Sequence, residues 1–153
     1  MLVRAMTPED IDQVVSLYER YFSEACDAIP SMLREWDENS VIDTIRSYCA
    51  HWDRTWLVAC ENQRITGFIA GFASESPWNS QLINANIAFL YLSPEQRSLE
   101  HLKLLYREFL SWANTIGAHK ITGGDIGINL ERTRTLYEYL GFSPVLLMAK
   151  DNT

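Results

Sequence analysis

The residue best placed to do chemistry in this sequence is a tyrosine near the end of a predicted helix. Tyr137 lies in the sequence LYEYLGF, residues 136–142, where a glycine ends the helix and an aromatic residue follows. A phenol can donate a proton to a neighbouring group. The flanking residues Leu136 and Leu140 also make an ordinary packing face with Tyr137, so a chemical role and a structural role both stay open.

A second segment of interest leads into the most strongly amphipathic helix of the sequence. Residues 91–97 read YLSPEQR, and from about Arg97 to Thr115 apolar residues recur every three to four positions. Gly117 follows as the predicted end of that helix. This pattern places residues 97–102 at the start of the helix.

The elements that must position these segments follow from hydrophobic periodicity and turn residues along the chain. Thr7-Pro8-Glu9-Asp10 carries the signals of a helix start, and Asn39 or Ser40 is predicted to cap the next helix. Glu61-Asn62-Gln63 is predicted as a hairpin turn and residues 74–80 as a loop. The other predicted elements are strands Leu2–Met6, Trp56–Cys60, Arg64–Ala73, Leu82–Leu92, Lys120–Ile128 and Pro144–Ala149, and helix Leu130–Leu140.

Length and composition favour one soluble domain that spans residues 1–153. The chain has 153 residues, 47% of them hydrophobic, with no apolar run near the roughly 20 residues that a membrane-spanning helix needs. The start of the chain has no secretory signal, so we expect a cytoplasmic protein. The three cysteines lie far apart and are expected to be reduced and buried, and the three histidines are scattered, so no metal site is expected.

The net charge limits the partners of the protein. It is −7, with a pI near 4.9, and this argues against nucleic acid and against an anionic membrane surface. An acidic protein can attract amines, although solubility alone explains the same balance.

The two segments and the order of elements together resemble the Gcn5-related N-acetyltransferase (GNAT) family over nearly the whole chain. The resemblance implies an α/β fold of order β-α-α-β-β-β-α-β-α-β, with helices on both faces of a mixed, splayed sheet. It implies acetyl-CoA as cofactor and a primary amine, of a small molecule or a protein, as acceptor. Homodimers are common in the family.

The resemblance also implies roles for particular residues. The pantetheine arm would lie along Leu90, Tyr91 and Leu92, with the Leu92 amide as donor to the oxyanion, and Tyr137 would protonate the departing thiolate. Asn129 is similar to the asparagine that precedes the last helix in the family, although it lies one residue early and a helix cap is the alternative. The pyrophosphate would be bound by the turn of Arg97, Ser98, Leu99, Glu100, His101 and Leu102.

That turn departs from the family pattern. Glu100 and Leu102 stand where the family has glycine, so side chains crowd the amides and a carboxylate could repel the phosphates. The predicted fourth strand also carries no carboxylate to act as base; Glu75 and Asp125 are the nearest. An alternative interpretation is therefore a catalytically degenerate member that binds a protein partner or takes part in an assembly.

The acceptor side in this family is formed largely by the segment between the first two helices. Here residues 24–27 and 34–38 are acidic and include Trp36. Such a surface favours a cationic amine, and a solvated acidic loop is the alternative.

Overall fold

The computed structural model describes residues 1–124 and 130–145, and these form a mixed sheet with helices on both faces. This confirms the predicted fold class. In chain order the elements are β1 (Leu2–Ala5), α1 (Ile11–Ala28), α2 (Glu38–Ala50), β2 (Arg54–Glu61), β3 (Arg64–Ser76), β4 (Asn79–Leu92), α3 (Leu99–Thr115), β5 (Ala118–Thr122) and α4 (Leu130–Tyr139). Short 3₁₀ turns at Pro8–Asp10, Pro30–Arg34 and Pro94–Gln96 precede α1, α2 and α3.

The five strands found among the described residues lie in the order β1-β2-β3-β4-β5. Neighbouring strands are antiparallel except β4 and β5, which are parallel. Parallel neighbours need a crossover, and α3 supplies it. The one parallel pair therefore places α3 across the sheet beside the carboxyl end of β4.

Each face of the sheet has its own apolar core. On one face α1 and α2 pack over buried residues that include Trp56, Val58 and Phe68. On the other face α3 packs over Leu57, Ile69 and neighbouring residues, with α4 at the edge of the same cluster. The alternation of β2 residues between the two cores is the period of two expected for a strand covered on both sides.

The hairpin and the caps differ in detail from the sequence predictions. Glu61 pairs with Arg64, so the first hairpin turn has two residues, Asn62 and Gln63, both with positive φ (49° and 66°). The second helix is capped by Asp37, whose Oδ2 accepts from the Ser40 amide at 2.8 Å, so the predicted caps Asn39 and Ser40 were wrong. The helix begins earlier because that carboxylate satisfies a first-turn amide.

The predicted loop over residues 74–80 was also wrong. Ser74 and Glu75 continue β3 and pair with β4, which begins at Asn79, so Pro77 and Trp78 make the turn. Ladder hydrogen bonds between these polar residues outweigh their low strand propensity. The β3–β4 hairpin is longer than the sequence indicated.

Three other predictions have mixed outcomes. β5 ends at Thr122, so Gly123 and Gly124 lie beyond it, and the rest of the strand predicted to residue 128 lies outside the described residues. The last predicted strand, Pro144–Ala149, lies outside them from residue 146. The three cysteines are free, but only Cys26 is buried, since Cys60 is partly buried and Cys49 is exposed.

The start of α1 is fixed by a buried carboxylate. Asp10 is 6% exposed, and its two oxygens accept from the Arg4 guanidinium at 2.6 and 2.8 Å. It also accepts from the Thr7 amide at 2.8 Å. The hydrogen bond from Arg4 holds the pKa of Asp10 well below its usual range, so the carboxylate stays charged and ties β1 to α1.

Within the described part of the chain, no helix combines the length and apolarity needed to cross a bilayer. The same residues contain no group of three potential metal ligands.

Candidate active site

An extra residue interrupts the pairing of β4 with β3. Ala70 pairs with Phe89 and Gly71 with Ile87, so Ala88 has no opposite residue and forms a β-bulge. A bulge bends its strand and increases the local twist. It lies in the half of β4 that leads to residues 90–92.

The bulge reverses the direction of side chains along β4. Before it, Ala85 and Ile87 pack in the α3 core. After it, Leu92 packs in that core, whereas Tyr91 packs in the α1 core. Without the extra residue, a period of two would put Tyr91 with Ile87 on the α3 face. The bulge therefore directs the Tyr91 side chain toward α1.

The partner strand β5 leaves β4 just before the bulge. The pairs run from Ile83 with Ala118 to Asn86 with Thr122, where the Thr122 hydroxyl donates to Asn86 Oδ1 at 2.7 Å. Among the described residues, β4 from Ile87 onward has no neighbouring strand on this side. Its peptide groups there are open to an extended ligand.

A cleft of about 520 Å³ lies at this separation. Residues of α1 line the cleft on one face of the sheet, and residues of α3 and α4 line it on the other. The cleft therefore passes through the gap beside β4. Its described lining consists of Tyr21, Glu24, Ile87, Ala88, Leu90, Tyr91, Leu92, Arg97, Ser98, Leu99, Leu102, Gly124, Arg132, Thr133, Leu136, Tyr137 and Leu140.

Most of the residues predicted for the site meet at this cleft. Glu100 and His101 do not line it, and Glu100 is exposed to solvent. Asn129 lies outside the described residues. The predicted residues that do line the cleft are Leu90, Tyr91, Leu92, Arg97, Ser98, Leu99, Leu102 and Tyr137.

Tyr137 enters the cleft from α4 with its ring fixed on two sides. The ring meets Phe142 edge-on, with centroids 5.0 Å apart. Its hydroxyl donates to the Gly124 carbonyl at 3.3 Å. A phenol held in this way can reorient its O–H by rotation about one bond while the ring stays in place.

Glu24 lines the cleft, and the sequence pattern indicated no individual role for it. It was predicted only as part of an acidic segment between helices on the acceptor side, but residues 24–27 belong to the last turns of α1. Glu24 is the only carboxylate that lines the cleft within the described residues. Glu24 lies three residues after Tyr21, which is on the edge of the apolar face of α1. This spacing puts both side chains on the same side of the helix, and it is the sequence signal that Glu24 faces the cleft.

Two groups on the cleft wall bind the Glu24 carboxylate. The Tyr91 hydroxyl donates to Oε1 at 2.6 Å, and Arg97 Nη2 donates to Oε2 at 2.6 Å. Arg97 also donates from Nε to the Leu92 carbonyl at 2.9 Å and lies over the Tyr91 ring, 5.4 Å from its centroid. Burial, with the Glu24 carboxylate, raises the pKa of Tyr91 to about 12.

The first turn of α3 presents amides beside this cluster. Ser98 caps the helix, and its Oγ accepts from the His101 amide at 3.1 Å. Nδ1 of the His101 ring lies within hydrogen-bond distance, 2.8 Å, of the Gln96 carbonyl oxygen. This leaves the amides of Leu99 and Glu100, together with the positive end of the helix dipole, to meet an anion.

Comparison with known proteins decides the family. The sequence model of the acetyltransferase (GNAT) family matches residues 11–142. The chain belongs to the GNAT acetyltransferase family. No curated protein matches the sequence significantly.

Solved structures agree with this GNAT assignment at the level of fold. A tetramutant of the BH1408 protein from Bacillus halodurans has a TM-score of 0.84 at 16% identity, with both chains covered fully. A predicted acetyltransferase from Clostridium acetobutylicum, solved with acetyl-CoA, has 0.79 at 18% identity over 99% of this chain and 95% of that one. An aminoglycoside 6'-N-acetyltransferase from Acinetobacter haemolyticus has 0.74 at 13% identity over all of both chains.

Proposed function

We propose that this GNAT protein transfers an acetyl group from acetyl-CoA to a primary amine. The observation that carries the proposal is the cleft through the gap between β4 and β5, with Tyr137 on one side of the sheet and Glu24 on the other. Such a passage lets a cofactor and an acceptor approach one point from opposite faces. GNAT proteins are typically acetyl-CoA-dependent N-acetyltransferases, which agrees with this arrangement.

The described residues suit an acyl-CoA in shape and polarity. The open edge of β4 offers backbone groups to the amides of a pantetheine arm, as an added strand would use them. Leu99, Leu102, Leu136 and Leu140 give the cleft apolar walls. Arg97 and the free amides of α3 would hold the phosphates.

The reaction needs a proton donor, a donor to the developing oxyanion and an uncharged amine. When bound, acetyl-CoA supplies an activated acyl carbon and a thiolate leaving group. The Tyr137 hydroxyl would give its proton on the α4 side of the gap. The Leu92 amide stays the proposed oxyanion donor.

A second candidate function is binding of a protein partner without catalysis. It is favoured by the turn at residues 97–102, which lacks glycine, and by the pairing of Arg97 with Glu24. In that arrangement the guanidinium is paired with a carboxylate of the protein and not directed at a cofactor phosphate. A stable complex that forms without acetyl-CoA would support this function.

A turnover assay with a panel of primary amines tests the enzyme proposal, with acetylated product followed by mass spectrometry. Tyr137→Phe keeps the ring and removes the proton, so kcat should fall by about 100-fold while the melting temperature stays the same. Tyr139→Phe is the matched control, since Tyr139 is half exposed on the same helix and lies outside the cleft lining.

Equal rates for Tyr137→Phe and the unmodified protein would remove the proposed role of Tyr137. If no amine in the panel is acetylated, the binding function becomes the better account.

A further inference from the structure

The carboxylate of Glu24 faces the gap from the side opposite Tyr137. We infer that Glu24 and Tyr91 form the subsite for the ammonium group of the acceptor, and that Glu24 takes the proton that the ammonium must lose. This inference rests on the proposed transfer to a primary amine. It assigns the base that β4 itself does not carry.

The position of Glu24 follows from the fold. α1 packs on one face of the sheet, and α3 and α4 pack on the other. The bulge at Ala88 turns Tyr91 toward α1, where its hydroxyl meets Glu24 at 2.6 Å. An acceptor that enters along α1 therefore meets this pair before it reaches the open edge of β4.

The structure already holds a cation on this pair. The Arg97 guanidinium lies 2.6 Å from Glu24 Oε2 and over the Tyr91 ring. These two contacts are an ion pair with a charge-assisted hydrogen bond to Glu24 and a cation–π contact with Tyr91. An alkylammonium group can make the same two, so Arg97 occupies the place that the acceptor would take.

The packing around the pair suits an amine that carries an apolar group. The rings of Tyr21 and Tyr91 lie 5.5 Å apart and form an aromatic wall next to the carboxylate. Among the described residues of the lining, Glu24 is the only carboxylate, whereas Arg97 and Arg132 are cations. Once Arg97 has moved away, Glu24 is therefore the charged side chain of the lining that attracts an ammonium group.

Arg97 must leave Glu24 before the acceptor can bind there. Arg97 stands at the start of the turn proposed to hold the cofactor phosphates, and a phosphate is a stronger partner for a guanidinium than one carboxylate. Phosphate binding would turn Arg97 away and free the carboxylate. Cofactor binding would then precede acceptor binding.

The proton balance of the step closes with two residues. An N–H bond of the ammonium breaks and its proton passes to the Glu24 carboxylate. The freed nitrogen lone pair forms the new N–C bond, the C–S bond breaks, and the departing thiolate would take the proton of the Tyr137 hydroxyl. The nitrogen, now positively charged, loses a second N–H proton as the amide forms, and this proton restores the Tyr137 hydroxyl through water. Glu24 releases the first proton to water, so one proton is set free for each ammonium group acetylated.

A titration without cofactor tests the subsite directly. The probe is benzylammonium, and benzyl alcohol is its uncharged counterpart. Arg97→Ala empties the subsite and should tighten benzylammonium binding by at least about tenfold, since one charge-assisted contact is regained. Glu24→Gln added to Arg97→Ala should abolish the gain, and benzyl alcohol should bind all variants alike.

Arg107→Ala is the matched control. It frees the carboxylate of Glu108, which Arg107 pairs with at 3.3 Å outside the cleft, and should leave benzylammonium binding unchanged. Arg97→Gln, alone and with Glu24→Gln, repeats the comparison if an alanine variant fails to fold.

The inference is overturned if Arg97→Ala binds benzylammonium no better than the unmodified protein, or if the gain survives Glu24→Gln. Because no cofactor is present, a protein that does not bind acetyl-CoA can still pass this test. Failure of the subsite and failure of the proposed function are thereby distinguished.

Discussion

The position of the Tyr137 ring depends on Gly123, whose lack of a side chain leaves room for the ring. A Cβ atom at Gly123 would lie 2.5 Å from Cε1 of Tyr137 and 2.9 Å from its hydroxyl oxygen. At the adjacent Gly124 a Cβ atom would meet nothing within 4 Å. Gly123 is therefore needed for the close approach of the phenol to the end of β5, whereas Gly124 contributes its carbonyl.

This contrast gives a matched pair of variants. Gly123→Ala should displace the Tyr137 ring and lower kcat by about tenfold, because an error of 1 Å in placement already weakens catalysis strongly. Gly124→Ala should have a much smaller effect. Steady-state acetylation rates and thermal unfolding of both variants provide the test, and equal losses in the two would show that the ring is held by other contacts.

Single residues differed in how far the sequence could place them. Tyr137 and Arg97 could be placed near the cleft because each belongs to a local pattern, a helix with its terminal glycine and the start of an amphipathic helix. Glu24 could be placed only in an acidic segment of the acceptor side, since its position in the cleft depends on where α1 crosses the sheet and on the direction of Tyr91 after the bulge. Contacts between residues 67 positions apart, such as Glu24 and Tyr91, leave no local trace in the sequence.

At the scale of elements, the bulge in β4 is the feature that hydrophobic alternation could not predict. Residues 82–92 alternate well enough for a strand to be predicted, but the pattern contains no glycine or proline at Ala88. The lengths of the turns and the cap of the second helix were predicted wrongly because they, too, depend on contacts that the local sequence does not show. Asp37 and the pairs at Ser74 and Glu75 were decided by hydrogen bonds that tertiary contacts permit.

The start of α3 decides how well phosphates are held. Glu100 is exposed, does not line the cleft, and acts on an anion at the helix end only through solvent. The repulsion expected from the sequence requires that this carboxylate point toward the phosphates. Its exposed placement makes the penalty smaller and sensitive to salt.

Glu100→Gln should therefore tighten acetyl-CoA binding only modestly, by about threefold at low salt, because exposed charges near a helix end contribute fractions of a kcal/mol. Raising the ionic strength to about 1 M should remove the gain. Glu108→Gln, farther along α3, is the control. A gain above tenfold in calorimetric titrations would mean that the Glu100 carboxylate turns toward the phosphates.

Asp10 joins β1 to α1 and makes stability depend on pH. Its pKa is lowered in the folded state, so its contribution is full above the unfolded pKa of about 4 and is lost as the pH falls below it. Asp10→Asn should lower the free energy of unfolding by about 2 kcal/mol at pH 7, a value reduced by the partial exposure of Arg4.

Urea unfolding at pH 7 and pH 3 measures the free energy of unfolding of Asp10→Asn and of the unmodified protein. The difference between Asp10→Asn and the unmodified protein should narrow at pH 3. Asp12→Asn removes an exposed carboxylate from the first turn of the same helix and should lower the free energy of unfolding by less than about 1 kcal/mol at pH 7. A gap that stays constant between the two pH values would contradict the pairing with Arg4.

For the whole molecule, the order of elements could be predicted because the long helices and strands have strong periodicity and the family order repeats it. Within the described residues the fold follows that order from β1 to α4. The site as a three-dimensional object could not be predicted, since it is a gap in the sheet. The gap begins where β5 leaves β4, after the pair of Asn86 with Thr122, and there residues from both faces of the sheet line one cleft.

The acidic character of the molecule agrees with the proposed acceptor. A net charge of −7 gives a cationic amine a favourable approach, and Glu24 offers it a specific partner in the cleft. The net charge of the protein and the Glu24 carboxylate thus both favour binding of a cationic amine. Long-range attraction of this kind weakens with added salt, whereas the contact with Glu24 persists.

The central claim, that this cleft is an acetyl-CoA site, is tested most directly by calorimetric titration of acetyl-CoA into the purified protein, with free CoA alongside. We predict saturable binding of one molecule per chain with a dissociation constant on the order of micromolar, about −8 kcal/mol. No heat at about 1 mM ligand, a limit near −4 kcal/mol, would contradict the claim and make the partner-binding function the leading one.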